Sequence, residues 1–521
     1  MTDTFNYGID ALTVSKTIAL SEGKLRGVLC EEAVNNINRS YQYVVNIVSS
    51  HKTVYGINTG FGILADSSIS PSDTATLQYK LLQSHSVGVG EPISLEIARI
   101  MLITKLHSLA RGYSGVQFST LERIIWHIEN DVIPVVPEKG SVGASGDLAP
   151  LAHLFLPLIG LGEVYYRGSR YHTYEVLRRL GMKPLHLGPK EGLALINGTQ
   201  FILSFAVKAV QRLHNCLEAA DIIGAMSLEA LTGTKAPFDE RLHALRPFEG
   251  SRLVAQRLRI LLHDSEIMQS HIDCGRVQDP YSLRCMPQVH GASRNAWSHL
   301  KELTETELNA VTDNPLIFNE NDTISGGNFH GQLLALPLDY ACFAAAEIGN
   351  ISDRRCYLLL EGKWGLPVLL MNNVGLNSGF MIPQYTTAAL VTENKTLCFP
   401  ASADSIPTSL GQEDHVSMGS ISARKLNQII DNLEYILGIE LMSACQAIEF
   451  RRPLKSSVIL EFAHDYVRHF VSFAKEDRIF SDDINNITQI IRDLSFVRQV
   501  DEFTDGREIQ LNQDFSGFSL L

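Results

Sequence analysis

The stretch from residue 200 to residue 231, QFILSFAVKAVQRLHNCLEAADIIGAMSLEAL, decides the fold. Its apolar side chains recur at helical spacing for about nine turns, more than twice the length of an ordinary globular helix. The same pattern returns at residues 331–361 and 419–450. Such long helices, in a chain without an extended heptad seam, predict a central helix bundle.

Shorter elements surround the three long helices. Small β-hairpins are predicted at residues 164–171 and 316–324, and Ser119 with Glu122 has the spacing of a capping box. Helical spacing recurs at residues 31–50, 73–84, 94–110, 119–131, 290–311, 381–397, 456–475 and 481–497. We therefore expect a mainly α fold, with a long-helix central bundle and small β-hairpins.

The chain organisation is predicted from these elements. Residues 1–199 carry a glycine-rich loop and an unusual tripeptide, residues 200–450 hold the long helices, and residues 451–521 add C-terminal helices. The sequence contains no internal repeat, and no low-complexity linker separates these regions. We therefore expect the long helices to unite the chain into one integrated unit.

Composition narrows the class of protein. The 521 residues are 45% hydrophobic and 19% charged, and 44 basic against 57 acidic residues leave a net charge of −13. No basic cluster favours nucleic acid, and no apolar run approaches the roughly 18 residues that cross a bilayer. The N-terminus lacks the pattern of a signal peptide, and the eight scattered cysteines include no C-x-x-C pair. We expect a cytoplasmic protein without a metal site.

The segment Gly140–Pro150, GSVGASGDLAP, offers unusual chemistry. In a tight bend, the Gly146 nitrogen can attack the carbonyl carbon of Ala144, because glycine has no Cβ to block it. Loss of two water molecules, one of them carrying the Ser145 hydroxyl, would leave a methylene conjugated to an imidazolinone. That product is an electrophile made from the chain alone.

Two other interpretations compete for this segment. Most Ala-Ser-Gly tripeptides are loops before a helix, and Asp147 has the character of an N-cap for the apolar run that follows. Ser145 could also be a hydrolase nucleophile at a strand-to-helix elbow. The elbow requires Gly-x-Ser-x-Gly, which this segment does not contain.

Polar loops between the helices predict one shared site. The glycine-rich segment 54–62 carries Tyr55 and has the composition of a lid that could deliver a phenol, although a simple turn has the same composition. Further loops place amide, acid, phenol and guanidinium groups beside helix ends, at residues 196–200, 277–284, 312–315, 325–330 and 409–418.

Taken together, these motifs resemble the aromatic amino acid ammonia-lyases and aminomutases, over a span from about Tyr55 to about Phe450. The resemblance rests on the segments at residues 55–62, 140–153, 191–200, 278–285, 326–330 and 412–418. It implies that Ala144, Ser145 and Gly146 mature to 4-methylidene-imidazole-5-one, with no external cofactor. It also implies a mostly helical homotetramer whose active sites draw residues from several subunits. The substrate would be a small molecule, an amino acid.

The resemblance further implies residue roles. Tyr55 would transfer a proton, although an unperturbed phenol with a pKa near 10 needs help to do so at neutral pH. Arg284 would clamp the substrate carboxylate with help from Asn197. Further active-site positions correspond to Gln278, Tyr281 and Phe329, and Asn197 and Tyr281 would also support the prosthetic group.

The expected substrate follows from a polar pair, His85 and Glu413. An imidazole ring has one donor and one acceptor, which these two side chains could satisfy, whereas phenylalanine-specific relatives have apolar pockets. We therefore expect L-histidine to give trans-urocanate and ammonia, with Glu413 also acting in catalysis.

Alternatives remain open. Ser86-Val87 stands where histidine-specific relatives commonly have two alanines, and the segment Gly419–Lys425 is closer to tyrosine- or phenylalanine-specific lyases and to 2,3-aminomutases. An inactive helical scaffold that only oligomerises is a more distant alternative.

Overall fold

The computed structural model describes residues 4–50, 54, 56, 57, 59, 73–272, 275–512 and 515–520. Tyr55 therefore lies outside the described residues. The described α-helices are α1 (Val14–Ser21), α2 (Glu31–Ser49), α3 (Thr74–His85), α4 (Leu95–Ala110), α5 (Phe118–Glu129), α6 (Leu148–Phe155), α7 (Thr173–Arg179), α8 (Glu191–Ile196), α9 (Gln200–Ala230), α10 (Glu240–Ala244), α11 (Glu249–Leu261), α12 (Glu266–Gln269), α13 (Tyr281–Arg284), α14 (Met286–Leu308), α15 (Gln332–Leu360), α16 (Met381–Leu397), α17 (Gly419–Glu449), α18 (Val458–Arg468), α19 (Phe480–Arg492) and α20 (Ser495–Asp505). None of these helices combines the length and apolar character that a bilayer crossing requires.

The β-structure is slight and consists of short strands. The described strands are β1 (Thr4–Asn6), β2 (Arg26–Val28), β3 (Val89–Pro92), β4 (Ile133–Pro134), β5 (Pro137–Lys139), β6 (Glu163–Tyr166), β7 (Ser169–His172), β8 (Leu316–Asn319) and β9 (Asp322–Ile324). Strands β1 and β2 pair in parallel, and β3 pairs with β5 antiparallel. Strand β6 lies between β4 and β7, while β8 and β9 form a hairpin.

The predicted mainly α fold is confirmed. The long helices α9, α15 and α17 lie where helical spacing predicts them, and both predicted hairpins are present as β6–β7 and β8–β9. This agreement arises because a 3.6-residue periodicity sustained over many turns is a local signal that tertiary packing seldom overrides.

Three local predictions are wrong. The segment 481–497 is two helices, because Leu494 has a left-handed φ of 63° that ends one and begins the next. The segment 456–475 is helical only in α18, up to Arg468. The capping box is also absent: α5 begins at Phe118, so Ser119 lies inside the helix, and Gln117 at the N-cap makes no side-chain capping bond.

Contacts between residues divide the chain into two compact units. The first comprises residues 1–208, 300–339 and 400–424, and the second comprises residues 209–299, 340–399 and 425–521. In the first unit, α3, α6 and α8 pack against one another. The ends of these three helices carry most of the candidate site. The three sequence regions, which follow other boundaries, stay a prediction.

The second unit contains a buried ion cluster. Glu218 and Asp221 on α9 face Arg257 on α11 and Arg294 on α14, and all four side chains are excluded from solvent. The guanidinium nitrogens lie 2.6–2.9 Å from the carboxylate oxygens. His290 adds a ring nitrogen 2.7 Å from Asp221. Each buried charge in this cluster therefore has an opposite charge in contact.

Candidate active site

The segment that links β5 to α6 forms a tight turn bounded by two glycines. Gly143 and Gly146 have φ values of 68° and 78°, in the left-handed region that other residues avoid. A Cβ on Gly146 would lie 2.1 Å from the carbonyl oxygen of Gly198, and one on Gly143 would lie 2.1 Å from Ser417 Oγ. Both positions therefore require glycine, for conformation and for space.

Asp147 anchors this turn. It occupies the position before α6, as predicted, but its carboxylate makes no capping bond to that helix. Instead it accepts hydrogen bonds from Ser141 Oγ at 2.7 Å and from the backbone nitrogen of Ile202 at 3.0 Å. Its own backbone nitrogen donates to the Gly198 oxygen at 2.7 Å. Burial raises the pKa of Asp147 to about 6, although these hydrogen bonds oppose the shift.

The Ser145 hydroxyl faces a carboxylate. Its Oγ donates a hydrogen bond to one oxygen of Glu413. The other oxygen of Glu413 accepts from Thr408 Oγ1 at 2.9 Å and from Ser409 Oγ at 3.1 Å. Backbone bonds between Thr408 and Glu413 close this loop, in which Ser409 and Leu410 have positive φ values of 51° and 54°. Glu413 is thus fixed over Ser145 by a strained loop.

Asn197 holds the carbonyl side of the same residue. It follows α8 directly and is almost fully buried. Its side-chain Nδ2 donates to the Ser145 carbonyl oxygen at 2.7 Å. The tripeptide is therefore contacted at its hydroxyl by an acceptor and at its carbonyl by a donor.

A cavity of about 730 Å³ opens above the turn. Its walls bring together predicted site residues from five separate segments, namely His85, Ala144, Ser145, Asn197, Phe329 and Glu413. Gly146 borders a smaller adjoining pocket, together with His85 and Glu413. The expectation that polar loops converge on one site is thus met for these residues, and the cavity size suits an amino acid.

His85 ends α3 and is half-buried. Its Nδ1 lies 3.0 Å from Ser84 Oγ. Burial lowers the pKa of His85, whereas a hydrogen bond to the Leu81 backbone and the negative charge of Glu413 oppose the shift. The ring therefore favours the neutral form, which has one donor and one acceptor.

Three predicted residues belong to the second unit. Tyr281, at the start of α13, is 70% exposed, and Gln278 is exposed as well. The Arg284 guanidinium stacks on the Tyr281 ring at 4.5 Å, and its Nε donates to the Asp279 carbonyl oxygen at 3.1 Å. Gln278 and Tyr281 lie on a solvent-facing surface of their unit, and Arg284 beside them is half-buried. A further predicted site residue, Tyr55, lies outside the described part of the chain.

Two histidines that sequence reasoning left without a role also line the cavity. His330 and His415 stack with ring centroids 5.4 Å apart, and His330 Nε2 donates to the His415 carbonyl oxygen at 3.3 Å. Their signal was present in the sequence, since His330 follows Phe329 and His415 lies two residues after Glu413. Among the described residues, no group of three or more His, Cys, Asp or Glu side chains is arranged to hold a metal ion.

These features define a mainly helical protein whose site is built around an Ala-Ser-Gly turn. The sequence profile described as aromatic amino acid lyase matches residues 12–469, which is most of the chain. The chain belongs to the aromatic amino acid lyase family.

Individual relatives extend this comparison. The chain is 46% identical to the histidine ammonia-lyase of Natranaerobius thermophilus over 477 residues, which is 91% of this chain and 94% of that protein. It is 47% identical to the histidine ammonia-lyase of Vibrio cholerae over 464 residues, with 88% and 91% covered.

Solved structures have the same fold. The histidine ammonia-lyase from Trypanosoma cruzi is 40% identical with a TM-score of 0.90, and the match covers 99% of this chain and 97% of that chain. The tyrosine aminomutase from Streptomyces globisporus is 33% identical with a TM-score of 0.92, covering 98% and 100%. Both the lyase and the mutase are thus similar to this chain across nearly its full length.

Proposed function

We propose that the chain is a carbon–nitrogen lyase that converts L-histidine to trans-urocanate and ammonia. The observation that carries this proposal is the polar pair above Ser145: the half-buried His85 and the anchored carboxylate of Glu413 share one cavity wall. An imidazole ring offers a donor to Glu413 and an acceptor or donor to His85, whereas a phenyl ring would leave both side chains unpaired. Similarity to histidine ammonia-lyases across about nine-tenths of the chain supports the same substrate.

The Ala144-Ser145-Gly146 turn fits a 4-methylidene-imidazole-5-one group. Gly146 has no room for a Cβ, Ala144 is small and buried, and the Ser145 hydroxyl already has a carboxylate in contact. When formed, this group supplies an electrophile that makes the substrate amine a better leaving group. The Ser145 carbonyl oxygen, to which Asn197 donates, is retained in that ring.

The side chains of the chain itself then have distinct tasks. Glu413 accepts from the substrate ring, and its second oxygen stays fixed by Thr408 and Ser409. Asn197 holds the Ser145 carbonyl and is near enough to the cavity to assist the substrate carboxylate. By resemblance, Arg284 clamps that carboxylate and Tyr55 moves the β-proton, with Gln278, Tyr281 and Phe329 completing the site.

We also propose a homotetramer in which Gln278, Tyr281 and Arg284 complete the site of another subunit. The exposure of Gln278 and Tyr281 supports this arrangement, since an isolated chain presents both side chains to solvent. Large apolar side chains are exposed on the second-unit parts of α15 and α16, including Tyr340, Phe343, Tyr357, Ile382 and Tyr385. Such exposure is typical of a surface that a partner covers.

A substrate panel tests the proposed reaction. Purified protein is incubated separately with L-histidine and L-tyrosine, and the unsaturated acid is followed by near-ultraviolet absorbance while β-amino acids are separated by chromatography. Urocanate from histidine supports the proposal. Coumarate or β-tyrosine, with no urocanate, would favour the second candidate, a tyrosine lyase or aminomutase, which the similarity to the Streptomyces globisporus structure supports.

Complementation tests the shared site. Ser145→Ala and Arg284→Ala each remove one half of a site, so each homo-oligomer should be inactive. If the two halves come from different subunits, mixed oligomers regain sites with both halves intact, and roughly a quarter of the activity should return. Co-expression that restores no activity, with oligomers formed, would argue that each chain supplies its whole site.

A further inference from the structure

A fully buried cation lies directly behind Asn197. Lys105, on α4, has no exposed surface, and its Nζ donates to the Asn197 carbonyl oxygen at 2.5 Å. Burying a lysine is costly unless its charge or its hydrogen bonds bring a compensating gain. The surroundings of Lys105 therefore indicate what this charge does.

One residue connects Lys105 to the tripeptide. The Asn197 carbonyl accepts from Lys105, while the Asn197 side-chain amide donates to the Ser145 carbonyl at 2.7 Å. The next carbonyl, that of Gly198, accepts from the Asp147 nitrogen at 2.7 Å. The peptide of residues 197 and 198 is thus held on one side by the cation and on the other by the turn.

The second lysine nearby has a different partner set. Lys190, also fully buried, donates to the Ser114 carbonyl at 2.8 Å and to Asp313 at 2.8 Å. Ser114 Oγ donates to the other oxygen of Asp313 at 2.8 Å. Burial lowers the pKa of Lys105 to about 7, with Asp313 opposing the shift and Lys190 adding to it. Lys190 shares the buried environment of Lys105, but its hydrogen bonds go to Ser114 and Asp313.

We propose that Lys105 is a positioning residue for the electrophile: by holding the main-chain carbonyl of Asn197, it keeps the Asn197 side-chain amide directed at the Ser145 carbonyl oxygen. The inference rests on the proposed function. Once two waters have left, the Ser145 carbonyl is conjugated with the Cα–Cβ double bond. A nucleophile bonding to Cβ pushes the π pair toward the Ser145 oxygen, where the Asn197 N–H stabilises it, and solvent then returns a proton to Cα.

The test uses borohydride as a nucleophile that needs no substrate. Hydride adds to Ser145 Cβ and water supplies the proton, so the near-ultraviolet absorption of the conjugated group disappears at a measurable rate. Lys105→Met should slow this bleaching about tenfold and move the absorption to shorter wavelength, because the Asn197 donor is then less firmly held against the Ser145 carbonyl. Lys190→Met, which removes the other fully buried lysine but none of the hydrogen bonds to Asn197, should stay within about twofold of the wild type.

Mass spectrometry of each intact oligomeric variant comes first. If the wild type itself has not lost two waters, the proposed function fails before Lys105 is tested. Bleaching of mature Lys105→Met at the wild-type rate, or equal slowing by Lys190→Met, overturns the inference. So does a folded Lys105→Met that keeps its full mass, because the lysine would then serve ring formation only.

Lys105→Gln covers the case in which the methionine variant does not fold. Glutamine keeps an N–H donor without the charge, and we expect bleaching between the rates of the wild type and a mature Lys105→Met. If both variants unfold while Lys190→Met folds, Lys105 is a structural residue and the inference is wrong. Steady-state kinetics add a second readout: Lys105→Met should lower kcat about tenfold and leave KM nearly unchanged.

Discussion

Two buried charged regions of the molecule differ in how their charges are paired. In the ion cluster of the second unit, burial raises the pKa of Glu218, but Arg257 and Arg294 outweigh it and hold the pKa at about 2. Around the tripeptide in the first unit, burial dominates: the pKa of Asp147 rises to about 6 and that of Lys105 falls to about 7. The ion cluster therefore keeps its charges at neutral pH, whereas the surroundings of the tripeptide hold groups whose pKa values lie close to neutral pH.

The partner of a buried charge distinguishes a stabilising role from a functional role more clearly than burial alone does. A buried charge that contacts an opposite charge holds its helices together, and it stays ionised when the pH changes. The carboxylate of Asp147 is held by a hydroxyl and by backbone N–H groups, and Lys105 donates to a carbonyl, so both contacts act on the geometry of the turn. Perturbed buried groups of this kind gather where chemistry is performed.

Ser145→Ala should produce the largest effect and should confine it to activity. Loss of the hydroxyl prevents the second water loss, so turnover of histidine should fall about 10⁴-fold or more. The fold should survive, because the mature wild type has also lost this hydroxyl and its hydrogen bond to Glu413. Urocanate formation, intact mass and thermal unfolding measure these three expectations.

Ser420→Ala is the matched control for this serine. Its Oγ donates to the Ser141 carbonyl at 2.6 Å in the same unit, without lining the cavity. Activity should stay near that of the wild type. An active Ser145→Ala, or an equally inactive Ser420→Ala, would contradict the conclusion that turnover depends specifically on the tripeptide.

Arg294→Met should have the opposite effect: a loss of stability without a loss of activity. Removing one guanidinium leaves Glu218 and Asp221 buried with half of their arginine partners, which should lower the free energy of unfolding by about 3–5 kcal/mol. The activity per folded molecule should stay unchanged. Denaturant unfolding gives the first quantity, and kcat of the folded fraction gives the second.

A partly exposed ion pair provides the control for that variant. Arg478 contacts Asp483 near the surface at 2.6 Å, so Arg478→Met should cost at most about 1 kcal/mol. Equal destabilisation by both variants would show that the buried cluster stabilises the fold no more than a surface ion pair does. The ion cluster could then no longer be assigned a stabilising role in contrast to the tripeptide region.

Much of this organisation follows from the sequence, and the missing part has physical causes. Helical periodicity is local, so α9, α15 and α17 are predicted within a residue or two. The break at Leu494 is not, because a leucine adopts a left-handed φ only when its surroundings impose it. The motif residues of the site were predicted through resemblance, whereas Lys105 was not. A lone lysine in an apolar helix has no local signal, and its partner Asn197 lies 92 residues away.

Glu413→Gln should affect activity less than loss of the serine does. The amide keeps the volume of the side chain but loses the charge and one acceptor, so kcat/KM for histidine should fall about 10²–10³-fold. Asp414, the adjacent acid, also lines the cavity but is exposed, so solvent screens its charge and Asp414→Asn should change kcat/KM by less than about fivefold. A Glu413→Gln variant that loses histidine turnover and gains tyrosine turnover would sharpen the assignment of this carboxylate to the substrate ring.

The smallest expected effect is the pH dependence of stability that Asp147 contributes. Its pKa rises from 3.8 to about 6 on folding, so the folded state binds the proton more tightly than the unfolded state. This contribution is fully present below about pH 4 and is lost as pH rises through 6, for a total of about 2–3 kcal/mol. Glu229 and Asp501, whose pKa values burial raises to about 7 and about 6, act in the same sense.

Asp147→Asn isolates the share of Asp147, because Glu229 and Asp501 remain in the variant. The free energy of unfolding is measured from pH 4 to pH 8 for both proteins. Relative to the variant, the wild type should lose stability as pH rises through 6, and the difference between the two curves should be constant above pH 7. Parallel curves throughout would mean that Asp147 stays ionised in the folded protein. In that case the turn would hold a fixed charge, as the ion cluster does, and the contrast between the two regions would rest on Lys105 alone.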